Sequence, residues 1–130
     1  MLDHVGFPVS DFAAARTFYD AALTPLGVTA LVEVTAEQTG GDTHVGYGSD
    51  GRPYFWIGDG HGPVKTGTMH VCFTAKTRAM VDAFYAAALA AGGRDNGPPG
   101  IRPHYDRDYY AAFVLDPDGR NIEAVCRIHV

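Results

Sequence analysis

The tetrapeptide HVGF at residues 4–7 returns as HVCF at residues 70–73, and the same offset of 66 carries the chain onto itself well beyond those positions. TFYDAAL falls on AFYAAAL, with Phe18 on Phe84, Tyr19 on Tyr85 and Leu23 on Leu89, and Gly27 falls on Gly93. With two extra residues, DGRPYFWI from Asp50 falls on DGRNIEAV from Asp118. Matches that keep their order through both halves mark a tandem duplication, which restricts the fold to arrangements of one unit used twice.

The opening strand of the first unit, roughly residues 2–8, alternates Val5, Phe7 and Val9 on one face with His4, Gly6 and Pro8 on the other. Ser10 or Asp11 supplies an N-cap. Phe12, Ala15, Phe18, Tyr19, Ala22 and Leu23 then recur at helical spacing until Pro25 and Gly27 stop the helix. Three strand-like pieces follow, VTALVEV from Val28, THVGYGS from Thr43 and RPYFWIG from Arg52, punctuated by turn residues. The second unit repeats the order: a strand from Met69, a helix from about Thr77 to Ala91, and two closing strands, YYAAFVL and RNIEAVC, joined by DPDG. The loop RDNGPPGIRPHYDRD stands where its second strand is expected. The order βαβββ twice predicts an α+β fold in a single domain, residues 1–130, with modules over about 1–62 and about 66–130. Each module's one helix covers one face of its strands; the natural cover for the other face is the second copy, across a pseudo-twofold axis.

A 46% hydrophobic and 19% charged chain can bury an ordinary core. Its formal net charge of −5 argues against nucleic acid or an anionic membrane as partner. No apolar run approaches a membrane span, and the first residues do not read as a signal peptide. Cys72 and Cys126 read as reduced core thiols, so the expected location is the cytoplasm.

The paired βαβββ plan, a His opening each repeat, the Phe-Tyr in each helix and the ending DPDGRNIEAV together resemble the vicinal-oxygen-chelate superfamily, which includes glyoxalase, extradiol dioxygenases and bleomycin-binding resistance proteins. The resemblance spans essentially the whole chain and implies a curved mixed-sheet cup with metal or ligand inside. That superfamily's first-strand metal positions fall on His4 and His70, and its last-strand positions on Phe55 and Glu123. It therefore implies a divalent metal ion (Fe, Mn, Ni or Zn) held by His4, His70 and Glu123, with Phe55 where a fourth ligand would sit. Two imidazoles and a carboxylate leave open positions where two substrate oxygens bind and are polarised.

The departures from the resemblance restrict the chemistry. Glyoxalase-type isomerisation uses an acidic residue where this chain has Phe55. Extradiol enzymes place a tyrosine where this chain has Phe113, and use an acid–base histidine that Tyr54-Phe55-Trp56 does not supply. The loop GIRPHYDRDYY offers Arg102 for an anionic group, His104 as acid or base, and the rings and hydroxyls of Tyr105, Tyr109 and Tyr110. Phe55, Phe113 and one of Tyr109 and Tyr110 are expected as aromatic walls of the cup, with Trp56 turned away from it.

Two functions from different classes follow. The first is a metalloenzyme acting on a small oxygenated molecule by lyase, isomerase or dioxygenase chemistry, with Glu123 and His104 as its catalytic groups. The second is a metal-free protein that sequesters a planar or aromatic compound in the same cup. The expected partners are a small-molecule substrate and a second copy of the chain, with no nucleic acid and no membrane.

Overall fold

In the computed structural model, which describes Met1 to Val130, the alternating run Val5–Val9 forms strand β1 with Phe7 and Val9 buried. Asp11 caps helix α1 (Phe12–Leu23), its carboxylate accepting from the Ala14 amide at 3.0 Å. The helix sends Ala15, Phe18, Tyr19, Ala22 and Leu23 inward. A 3₁₀ turn at Thr24–Leu26 ends on Gly27 at φ 77°, a left-handed position that favours glycine. Strand β2 (Thr29–Val34), a short helix α2 (Ala36–Thr39), and strands β3 (His44–Ser49) and β4 (Arg52–Asp59) complete the first half. The second half repeats the plan with β5 (His70–Thr74), α3 (Arg78–Ala90) capped by Thr77, β6 (Arg94–Ile101), β7 (Tyr110–Leu115) and β8 (Asn121–Cys126).

The strands form two four-stranded mixed sheets, ordered β1-β4-β3-β2 and β5-β8-β7-β6. In each, the first strand pairs parallel with the last and the remaining pairs are antiparallel. The fold is α+β. Helix α2 is an addition the duplication does not foreshadow, a single turn closed by a Thr35–Gln38 capping box. The segment read as a loop after α3 corrects that expectation, because its first eight residues are strand β6. Pro98 and Pro99 hide it from pattern reading. They are tolerated because β6 is an edge strand, and its pairing to β7 skips them between Gly97 and Gly100.

One hydrophobic core spans both halves, and α1 and α3 pack together over it. Phe55 of β4 meets Phe73 of β5 edge-on at 5.1 Å, and Gly93 is where the Phe18 ring reaches the second half. A Cβ at Gly93 would stand 2.6 Å from that ring.

A polar clamp reinforces the apolar contact. Arg120, 2% exposed, donates to Asp116 and Asp118 at 3.1 Å each and to the Pro8 carbonyl at 2.6 Å, and its guanidinium lies 4.0 Å from the Phe7 ring centroid. Tyr19 of α1 donates to the other half through Asp116, and Asp118 accepts from the Ser10 amide at 3.0 Å. Burial and the Asp116 carboxylate push the Tyr19 phenol well above its ordinary value, so it stays a donor.

Removing one member of a buried ion pair leaves an uncompensated charge, so Arg120→Ala is expected to cost about 3–5 kcal/mol in urea unfolding. Burial alone would raise the Asp118 pKa, yet Ser10 and Arg120 hold it below the usual carboxylate value. A carboxylate held low contributes stability above its ordinary value of about 3.9 and loses it as pH falls through the folded value. Unfolding free energy is therefore expected to fall below about pH 4, and to fall less in Asp118→Asn, in urea titrations across that range.

Candidate metal centre

Strand parity selects which side chains leave the core of the second sheet. Along β8, Ile122, Ala124 and Cys126 enter the core, so Glu123 faces the opposite way. Its lateral neighbours are Cys72 on β5 and Phe113 on β7. His70 pairs across from Asn121, one step along the same face as Cys72. The duplication therefore places His70 and Glu123 together by register alone.

Glu123 is nearly enclosed, with 3% of its side chain exposed, and both carboxylate oxygens are engaged. His70 Nε2 lies 2.9 Å from Oε1, and the Tyr109 hydroxyl donates to Oε2 at 2.5 Å. Burial and the Glu123 carboxylate push the Tyr109 phenol up, which keeps it a donor. Cys72, an exposed residue of β5, stands beside Glu123, and partial desolvation and that carboxylate push its thiol up to about 12.

The other ring nitrogen of His70 decides what this pair can hold. Nδ1 lies 3.0 Å from the Asn121 carbonyl oxygen, which only accepts, so Nδ1 carries a proton. Nε2 of a neutral ring then presents its lone pair to a carboxylate oxygen. Such a pair calls for a cation, a proton on Nε2 or a metal ion. An imidazole anchored through Nδ1–H to a backbone carbonyl is also how metal-ligating histidines are oriented. Phe113 stacks on the ring at 6.2 Å and 25°. These residues line a cavity of about 540 Å³ together with His104, Tyr105, Tyr109 and Arg127.

His4 is not part of that cavity. It lies on the first half, its side chain 61% exposed and paired with Asp3 at 2.8 Å. Within one chain no three His, Cys, Asp or Glu side chains converge to hold a metal ion. The His70–Glu123 pair fits a divalent metal as two of its ligands, and a single chain does not supply the third.

The fourth expected position requires a larger correction. Phe55 is 1% exposed and lies inside the core against Phe7, Tyr19, Tyr47 and Phe73. Trp56, expected to point away, is the residue on the open face. Register gives the reason: Gly6 pairs with Trp56 as Cys72 pairs with Glu123, so Trp56 is the counterpart of Glu123. Tyr47 pairs with Phe55 but Gly48 with Pro53, so Tyr54 is an extra residue bulged out of β4. One inserted residue reverses the facing of every side chain after it.

The loop residues divide. His104, Tyr105 and Tyr109 form a run of rings, 4.2 Å and 5.0 Å between successive centroids, at the Glu123 cavity. Arg102, just beyond β6, donates to the Gly100 and Pro98 carbonyls at 2.9 and 2.7 Å and lies 5.4 Å over the Phe113 ring, behind the cavity wall and not among its lining residues. Tyr110 points to the helix side, donating to Asp82 on α3 beneath the Arg78 guanidinium. Sequence reasoning missed Arg127, which lies 4.8 Å over the Tyr109 ring just beyond β8, and the anchoring Asn121 carbonyl, which carries no side-chain signal.

A family model described as Glyoxalase/Bleomycin resistance protein/Dioxygenase superfamily matches residues 1–124. The chain belongs to this superfamily. A glyoxalase/bleomycin resistance protein from Albidiferax ferrireducens T118 is 31% identical over 98% of this chain and 99% of its own, at a TM-score of 0.73. Two more distant structures share the superfamily fold. Glyoxalase I from Zea mays is 20% identical at a TM-score of 0.74, covering 96% of this chain and 45% of that one. A glyoxylase/bleomycin resistance protein/dioxygenase domain from Frankia sp. EAN1pec is 18% identical at a TM-score of 0.72, over 98% of both chains. No curated protein matches.

Tyr109→Phe removes the donor from Oε2 of a buried carboxylate without changing the ring. It is expected to destabilise the chain by about 1–3 kcal/mol in urea unfolding. An unchanged midpoint would show that the hydroxyl is not seated on Glu123.

Proposed function

We propose that this superfamily member is a divalent-metal enzyme acting on a small oxygenated molecule, with His70 and Glu123 of one chain and His4 of a second copy as its metal ligands. The observation that carries the reading is the His70 ring, whose Nδ1–H is committed to the Asn121 carbonyl while Nε2 faces Oε1 of a buried carboxylate. A bound divalent ion would supply Lewis-acid polarisation of substrate oxygens at its open positions. The metal is Fe, Mn, Ni or Zn, and the reaction is of lyase, isomerase or dioxygenase type.

The chain's own residues have separate tasks. The Tyr109 hydroxyl holds Oε2 and so fixes the rotation of the Glu123 carboxylate. Phe113 holds the His70 ring from the side. His104, which lines the cavity, is the imidazole placed to pass a proton to or from a bound molecule.

The assembly we propose is a homodimer in which the first module of one copy, about residues 1–62, closes over the second module of the other, about 66–130. Two observations support it. The single chain keeps His4 apart from Glu123, and the outer edge strands leave Leu31, Val32 and Ile101 exposed. No helix is long and apolar enough to cross a membrane. With both thiols free, we assign the protein to the cytoplasm.

Calorimetric titration of the chelator-treated protein with Mn²⁺ is expected to give one site per chain. His70→Ala and Glu123→Gln are each expected to weaken it at least tenfold. His4→Ala and His70→Ala chains refolded together are expected to recover about one intact site per mixed dimer. No metal uptake by the wild type would overturn the metal reading. Metal uptake without recovery in the mixture would overturn the composite site alone.

A further inference from the structure

The open face of the first sheet holds a cavity of about 490 Å³ that the metal ligands leave largely unused. Two rings lie close against glycines on its floor. A Cβ built at Gly46 would stand 2.8–2.9 Å from Cη2, Cζ2 and Cε2 of Trp56, so the indole is pressed against the Gly46 backbone. A Cβ at Gly58 would stand 2.6 Å from Nδ1 of His44, which places that imidazole on the sheet beside it. Trp56 is half-buried and lines the cavity, so one indole face rests on the sheet and the other is presented to whatever enters. Around the floor stand His4, Asp42 and Asp59, with no lysine or arginine among the lining residues.

An indole laid against the sheet with one face free is a surface for a second ring, because offset stacking adds to the apolar area removed from water. No lysine or arginine stands at the rim to hold an anion, and its carboxylates, Asp42 and Asp59, already face the His61 imidazole at 2.6 and 3.7 Å. We propose that this face is a stacking platform for a planar aromatic or heteroaromatic ring system, neutral or cationic, seated on Trp56 with its edge toward His44 and His4. The platform deepens the function proposed above and rests on it for the metal and for the facing sheet. It assigns the aromatic body of the substrate to the first module and its oxygens to the second.

The chain has one tryptophan, so a single indole N–H signal in a ¹H–¹⁵N spectrum reports on the platform directly. The experiment uses chelator-treated wild-type protein, so it does not depend on metal. 2-Naphthol is expected to bind saturably and to shift the indole signal by its ring current. Its saturated analogue 2-decalol is expected to bind about tenfold more weakly, and anionic 2-naphthoate more weakly than 2-naphthol.

By calorimetry, Trp56→Leu is expected to lose about tenfold in 2-naphthol affinity while Trp56→Phe retains most of it. Thermal unfolding of both variants separates a lost platform from a lost fold. Equal affinity for 2-decalol, an unshifted indole signal, or full affinity in a folded Trp56→Leu variant would each overturn the platform. Binding of 2-naphthol by a protein that takes up no Mn²⁺ would sustain the platform while removing the metal reading.

Discussion

Arg120 is 2% exposed at the junction of the two halves, and the geometry of the site depends on what it ties together. Its guanidinium reaches Asp116 and Asp118 within its own turn and the Pro8 carbonyl at the end of β1. Asp116 in return accepts from the Asp118 and Arg120 amides at 3.0 and 2.9 Å, which rigidifies the turn from inside. Strand β8 begins at the next residue. The same interaction that locks one half to the other therefore sets the starting point of the strand carrying Asn121 and Glu123. A buried charge of this kind is costly to desolvate, and its use here is consistent with specifying geometry more than adding net stability.

The duplication was legible because its signals are local: the cap at Ser10 or Asp11, which the structure places at Asp11, the repeated Phe-Tyr of the helices and the period-two strands all read directly from spacing. The resemblance to the superfamily named His70 and Glu123 together, and the parallel register of β5 with β8 brings the two side chains within 2.9 Å. What failed was facing in β4. The two Asp-Gly turns align well by residue type, yet Tyr54 bulges from one strand and nothing corresponding bulges from the other. A bulge leaves little trace in composition, so Phe55 and Trp56 exchanged places. Strand β6 was lost for a different reason, because its two prolines are permitted only by an edge position that sequence alone does not show. Arg102 and Tyr110 look like substrate contacts until the carbonyls of Pro98 and Gly100, and the Asp82 carboxylate, are seen to occupy them.

The corrected register makes the two modules complementary in chemistry. The second presents polar donors on its open face, with His70, Tyr109 and Glu123 joined by hydrogen bonds. The first presents glycine backbone overlaid by Trp56 and His44. In the function proposed above, the second module holds the metal through His70 and Glu123, and the first contributes His4 and, at the position register-equivalent to Glu123, the indole of Trp56. One chain does not bring His4 to Glu123, which is why the proposed site needs a second copy.

The most direct measurement is a crystal structure of the Mn²⁺-loaded protein with data collected at the manganese absorption edge. One anomalous peak per chain is expected, within coordinating distance of His70 Nε2 and Glu123 Oε1 and completed by His4 of a second copy across a twofold axis. An absent peak, or a peak away from that pair, would contradict the proposed site.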